Sequence, residues 1–254
     1  MNEDWLARWR DGRIAFHEGR PNQLLERHVA RLAGCRRVLV PLCGKTEDLA
    51  FLAARGHDVI GIELAEQAVR AFFVEHDLAP SIAPRGPFVA YQAGDPAGDP
   101  AGDDASAEPD RDGARRPGSI TLLVGDLFAA TRELLAPIDA VYDRAALIAL
   151  PTELRTRYVE LLRAVVPADA PSLVITLEYD QRAMTGPPFA VLESELRTLY
   201  AGATIELLEE RADTSGGKCS QSGVSATERC FAIQPAGARS SCRTGVLEAR
   251  QGNL

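Results

Sequence analysis

Short apolar runs alternate with segments of helical period along most of the chain. Residues 37–41 (RVLVP) form a β-branched run that ends at Pro41 and passes through Leu42, Cys43, Gly44 and Lys45 into 46–55, where Leu49, Leu52 and Ala53 share one helical face. Gly56 stops that helix, and HDVIGIE over 57–63 reads as a second strand. A second helix over 66–76 carries Val69, Phe72 and Phe73 at helical spacing. A strand over 139–143, a helix over 153–166, a strand over 173–177 and a helix over 192–200 continue the alternation. Such alternation predicts a doubly wound α/β fold around a mostly parallel sheet. Two closing runs, 204–208 and 229–233, flank a polar connector with Gly216, Gly217 and Gly223 and are expected to pair as an antiparallel edge hairpin.

Two segments fall outside this plan. Residues 94–118 (GDPAGDPAGDDASAEPDRDGARRPG) hold almost no large apolar side chain to offset the entropy of ordering them, which predicts a disordered, solvated insert. Its flanks, 88–91 and 120–124, read as strand pieces, so the insert is expected to extend the tip of a connection. Residues 235–254 are rich in Ser, Gly and Arg and are expected to be a flexible tail, leaving 1–234 as one domain.

Composition narrows the class. With 254 residues, 46% of them hydrophobic, the chain can build one large core. No apolar run reaches the roughly eighteen residues of a membrane span. The opening residues, with Asp4, Trp5, Arg8 and Arg10, lack the apolar stretch of a signal peptide, so a cytoplasmic location without a membrane partner is expected. Five scattered cysteines without a CxxC pair argue against a disulfide frame and a structural metal. A net charge of -8 opposes a grip on phosphate backbones, so nucleic acid is not an expected partner. A monomer is the default expectation.

Ligands of a parallel α/β sheet sit beyond the carboxyl ends of its strands, which directs attention to three places. After the first strand, Gly44 permits a tight turn and the following helix end offers N–H groups to a carboxylate or phosphate. The competing reading is an ordinary helix start with a solvated Lys45. A P-loop needs a glycine five positions before Gly44, where Leu39 stands instead. At the end of the second strand, Glu63 can accept hydrogen bonds from both vicinal hydroxyls of a ribose, or be an exposed acid at a helix entry. No GxGxxG follows the first strand, so a ligand without pyrophosphate is favoured. Third, Asp143 and Arg144 follow a buried strand. Arg144 can pair with a cofactor carboxylate or polarise an acceptor with Asp143 orienting it, or the two can form a surface ion pair. Upstream, Asp126 and Phe128 in GDLF would lie beside an adenine.

Several strings together carry a resemblance: WRDGRIAFH at 9–17, Asn22, VPLCGKTEDLAFLAARGHDVIGIEL, GDLF, YDRAALIALP and TLEYDQRAMTGPPF. From Trp5 to Ile233 the chain resembles the thiopurine S-methyltransferase family in its bacterial form. The resemblance implies a seven-stranded class I methyltransferase sheet and S-adenosylmethionine as cofactor, with S-adenosylhomocysteine as product. It places Trp9, Leu42, Glu63 and Arg144 on the positions that hold the cofactor. The implied activity is S-methylation of thiopurines or other aromatic thiols, extending to selenium and tellurium compounds. Another small-molecule methyltransferase, or a silent cofactor-binding sensor, are the alternatives.

The residues fit that chemistry. Trp9 and Phe16 would close over the cofactor and present an aromatic face to its sulfonium, while Trp5, four residues from Trp9, is expected to dock the helix. Tyr179, Met184, Pro187 and Phe189 would form an apolar wall for a flat heterocycle, or simply a proline-braced turn. An easily ionised thiol or selenol needs alignment in a dry pocket more than a general base. The acidic insert and the stretch 218–229 depart from the family's pattern.

Overall fold

The computed structural model describes residues 2–12, 18–94, 116–135, 137–144 and 146–235. In chain order the elements are α1 (Asn2–Arg10), α2 (Gln23–His28), β1 (Arg37–Pro41), α3 (Asp48–Ala54), β2 (Asp58–Glu63), α4 (Glu66–Glu75), β3 (Ser81–Arg85), β4 (Phe88–Ala93), β5 (Ile120–Val124), α5 (Arg132–Leu135), β6 (Ala140–Asp143), α6 (Ala146–Ala149), α7 (Thr152–Val165), β7 (Ser172–Glu178), α8 (Glu193–Leu199), β8 (Thr204–Ala212), α9 (Lys218–Gln221) and β9 (Thr227–Gln234).

One sheet runs through the molecule in the order β3-β4-β5-β2-β1-β6-β7-β9-β8. Strands β5, β2, β1, β6 and β7 are mutually parallel, while β9 runs antiparallel to β7 and β8 antiparallel to β9. The expected edge hairpin is therefore present. The sheet has nine strands among the described residues, where seven were expected. The surplus is the β3–β4 hairpin, added antiparallel to the β5 edge. Its β3 strand, SIAPR, is largely exposed and contains Pro84, so it carries neither the apolar alternation nor the composition by which a strand announces itself.

Side chains alternate between the two faces and build two core layers. Val38, Val40, Val59, Tyr142, Leu173 and Ile175 pack with α3 and α4 through Leu49, Leu52, Val69, Phe72 and Phe73. Leu39, Ile60, Ile62, Val141 and Val174 pack with α7 and α8 through Tyr158, Val159, Leu162 and Leu196. From β1 the chain winds outward through β2, and β6 then lies on the other side of β1. That reversal opens a crevice between the carboxyl ends of β1 and β6.

Residues 95–115, most of the acidic insert, and 236–254, most of the tail, lie outside the described residues. Their anchor points are well defined, because Ala93 of β4 stands opposite Ile120 of β5. The Ser119 N–H and hydroxyl both donate to Asp58 Oδ1 at 2.9 Å, fixing the amino end of β5 beside that of β2. No helix of the described residues is long and apolar enough to cross a membrane.

Candidate active site

A cavity of about 790 Å³ occupies the carboxyl ends of the strands, lined from the turns after β1, β2, β5 and β6, from β7, and from α1 and α9. The turn after β1 is held by unusual backbone: Leu42 and Gly44 adopt φ of 47° and 56°. Leucine in the left-handed region costs roughly 1 kcal/mol, a strain that tends to collect where a ligand is received. The Cys43 N–H bonds the Ile62 carbonyl at 3.1 Å, and the Gly44 N–H donates to Glu63 Oε2 at 2.9 Å, so the turn is fastened to the end of β2.

Glu63 is buried rather than exposed. Its other oxygen accepts the Ala65 N–H at 2.7 Å, which leaves each carboxylate oxygen a further lone pair on the cavity wall. Burial raises its pKa, opposed by the backbone N–H groups of Ala65, Gly44 and Leu64. Trp9 is buried against Ala65 and Ala68 and lines the same end of the cavity. Trp5, expected in a docking role, is half-buried and also lines the cavity, with the Arg8 guanidinium 5.6 Å from its ring centre. Asp126 accepts the Phe128 N–H at 2.9 Å, and both residues line the wall beyond β5.

The helix after the β1 turn begins at Asp48, so a negative side chain already stands where an anion was expected. Asp48 is buried; its carboxylate accepts the Asn22 N–H at 2.7 Å and the Tyr142 hydroxyl at 2.8 Å. Burial pushes its pKa up to about 6, with those donors opposing. Glu228 lies on the same chain of polar contacts: it accepts Asn22 Nδ2 at 3.4 Å and is clasped by Arg211 at 2.6 and 2.9 Å. Asp48, Tyr142 and Glu228 all line the cavity.

Arg144 lines the cavity too, and it pairs with Glu18. Burial lowers its pKa, opposed by Glu228 and Asp213, and a guanidinium remains charged regardless. Asp143 does not play the expected part of orienting it. The Asp143 carboxylate is fully buried behind the wall, accepting the Tyr158 hydroxyl at 2.7 Å and the Ala146 and Leu147 N–H groups at 3.0 and 3.4 Å. It fixes the turn from which Arg144 projects, and burial pushes its pKa up to about 6.

Of the four side chains expected to form the acceptor wall, Pro187 lines the cavity. Tyr179 and Met184 are not on the wall but pack against Leu177 and Cys219, which are. The Tyr179 hydroxyl donates to the Pro188 carbonyl at 2.6 Å, and Gln181 Nε2 donates to the Met184 carbonyl at 2.8 Å. The Phe189 ring packs so closely over Gly186 that a Cβ there would lie 2.2 Å from it. The segment is thus the proline-braced turn, with Pro187 and Pro188 as its cavity face. Phe16 lies outside the described residues.

Sequence reasoning missed Asp48, Tyr142, Thr176, Asp213, Lys218 and Glu228, all on the wall. Lys218 of α9 donates to the carbonyls of Thr185 and Pro187, stapling the polar connector to the proline turn. Its pKa is lowered by burial and by Arg8.

The sequence matches the thiopurine S-methyltransferase family over residues 1–96 and 103–233. Curated thiopurine S-methyltransferases from Pseudomonas aeruginosa (strain UCBPP-PA14) and Bordetella petrii are 48% and 40% identical over 216 and 214 residues, covering 84% and 83% of this chain and 87% and 86% of theirs. Among solved structures, an S-adenosylmethionine-dependent methyltransferase from Methanosarcina mazei superposes with a TM-score of 0.55 at 13% identity, covering 85% of this chain and 99% of the other. The 1,6-didemethyltoxoflavin-N1-methyltransferase of Burkholderia thailandensis, solved with S-adenosylhomocysteine, gives 0.53 at 14% identity, covering 92% and 87%. At such identities these two establish the class I methyltransferase fold.

Proposed function

The chain belongs to the thiopurine S-methyltransferase family, whose members are S-adenosylmethionine-dependent enzymes, and from that premise we propose that it methylates the sulfur of thiopurines and related aromatic thiols. The same chemistry extends to selenols and tellurols, whose acidity and softness make them ready nucleophiles. When bound, the cofactor would supply an electrophilic methyl group to the acceptor sulfur, and Glu63, Trp9, Leu42 and Arg144 are the residues that would hold it.

The observation that carries this reading is Glu63. Its carboxylate is fixed by the Gly44 and Ala65 N–H groups and keeps lone pairs on the wall for two vicinal hydroxyls, which suits a ribose. Trp9 and Leu42 flank that end, and Asp126 with Phe128 offers a polar edge and a ring for adenine. Arg144, at the β6 end of the crevice, suits the cofactor carboxylate or a developing thiolate. Glu18 shares that guanidinium, so the ligand joins an existing ion pair. Trp5, Arg8 and Trp9 of the N-terminal helix and Lys218, Cys219 and Gln221 of α9 also line the cavity.

A calorimetric titration with S-adenosylmethionine, followed by a methyl-transfer assay with 6-mercaptopurine and then benzeneselenol, tests the proposal. Binding with turnover of 6-mercaptopurine is the expected result. Binding without turnover of any acceptor favours a sensor instead, and no binding by the folded protein overturns the assignment.

A further inference from the structure

Among the described residues, five carboxylates line the cavity: Asp48, Glu63, Asp126, Asp213 and Glu228. Asp48 and Glu63 have a protein donor on each oxygen, and so does Glu228, held between Asn22 and Arg211. Asp126 stands beyond β5, at the end assigned to adenine, and accepts the Phe128 N–H. Asp213 differs. It follows β8 and is half-buried; its Oδ1 accepts the Ser215 N–H at 2.9 Å, while its Oδ2 has neither a hydrogen bond nor an ion pair among the described residues. Its backbone is fixed as well, the N–H donating to the Ala226 carbonyl at 2.8 Å. Asparagine would make the same turn with Ser215, so the local fold does not need the charge. That charge acts on Arg144, without pairing with it, and on Cys219 of α9. An uncommitted carboxylate oxygen and a guanidinium therefore share the stretch of wall between β6 and α9.

We propose that Asp213 is the base that takes the proton of the acceptor thiol. The inference rests on the methyl-transfer reading above and adds a catalytic residue to it. A neutral acceptor carries one proton to be lost, on sulfur or, as the thione, on a ring nitrogen. That proton passes to Asp213 Oδ2, and the electron pair it leaves forms the sulfur–methyl bond; the methyl group comes from the cofactor, whose sulfur keeps the pair of the broken bond. The carboxylic acid formed on Asp213 returns its proton to solvent, which its half-buried position permits. Arg144 steadies the negative charge that develops on the acceptor sulfur as the proton leaves. A carboxylate and a guanidinium near enough to attract, yet not paired with each other, leave room for an acceptor between them.

The test compares wild type, Asp213→Asn and Asp213→Ala with two acceptors in slightly acid buffer: 6-mercaptopurine, which arrives with its proton, and 5-thio-2-nitrobenzoate, which arrives as a thiolate. Asp213→Asn keeps an acceptor for the Ser215 N–H and removes the base. It is expected to lower the ratio of kcat for 6-mercaptopurine over that for 5-thio-2-nitrobenzoate about a hundredfold, the lower end of what a positioned base contributes. Asp213→Ala should lower it as far. Calorimetry gives a readout independent of turnover: in the presence of S-adenosylhomocysteine, Asp213→Asn should bind 6-mercaptopurine about fivefold more weakly, the scale of one hydrogen bond to the acceptor's N–H. Affinity for S-adenosylhomocysteine itself should match wild type, which shows that the variants fold. An unchanged ratio, or equal losses for both acceptors, overturns the proposal. Loss of S-adenosylhomocysteine binding in both variants makes Asp213 a structural residue and overturns it too. A folded wild-type chain that turns over neither acceptor overturns the methyl-transfer reading, and the proposal with it.

Discussion

Replacing Glu63 with glutamine is the sharpest probe of the cofactor end. Both Glu63 oxygens already accept backbone N–H groups, from Gly44 at 2.9 Å and Ala65 at 2.7 Å. Glutamine keeps one acceptor and turns an NH₂ toward the other N–H, so one buried donor loses its partner and the β1 turn loosens. Leaving a buried partner unmade costs about 1–3 kcal/mol, and the same scale applies to a ribose hydroxyl that loses its acceptor. Affinity for S-adenosylhomocysteine should therefore fall about 5- to 150-fold. Denaturant unfolding should show a separate loss of similar size, so titrations belong well below the variant's melting temperature. A ligand change isolates the contact: the 2′-deoxy analogue should bind wild type about tenfold more weakly than S-adenosylhomocysteine, yet the two should bind the variant almost equally. A folded Glu63→Gln protein with wild-type affinity would refute the ribose assignment, and an equal 2′-hydroxyl penalty in both proteins would refute the contact itself.

Three other substitutions follow from the same structure. Tyr158→Phe removes the hydroxyl donor of the buried Asp143 carboxylate and should cost about 1–3 kcal/mol in urea unfolding; a loss below 0.5 would deny that bond its stabilising role. Burial raises the Asp48 and Asp143 carboxyls from 3.8 to about 6, so between those values the folded state holds more protons than the unfolded. Stability should thus fall as pH rises through that window, by at most about 3 kcal/mol per group, and Asp48→Asn should flatten the slope of melting temperature against pH; an identical slope contradicts the assignment. Leu42 sits at φ 47° with its side chain packed on the core, so both Leu42→Ala and Leu42→Gly lose that packing, but only Leu42→Ala keeps a left-handed Cβ; Leu42→Gly should therefore be no less stable than Leu42→Ala, and a clearly more stable Leu42→Ala would show that no strain is stored there.

Much of the sheet was legible because its inner strands are buried on both faces and so read as continuous apolar runs, as at 37–41 and 58–63. The β3 strand escaped because it is exposed, and exposure leaves no periodicity to see. At the site, the turn around Gly44 and the acid at Glu63 were legible from position alone, since both stand just past strand ends. Asp48, Asn22 and Glu228 were not: their meaning lies in a contact chain joining residues up to 206 positions apart, which no local pattern encodes. Tyr179 and Met184 were placed in the right segment but on its inner side, because an apolar residue beside a cavity and one behind it read alike.

The pairing of Ala93 with Ile120 has a practical consequence. Whatever chain lies between these residues leaves and rejoins the sheet at adjacent points, at the amino end of β5, whereas the cavity takes Asp126 and Phe128 from beyond its carboxyl end. Closing a longer loop there costs only about 0.6 kcal/mol for each doubling of its length. The position is accordingly a port for grafting: a fluorescent reporter or an affinity handle joined to the sheet through Ala93 and Ile120 would be anchored at the end of β5 away from the cavity wall.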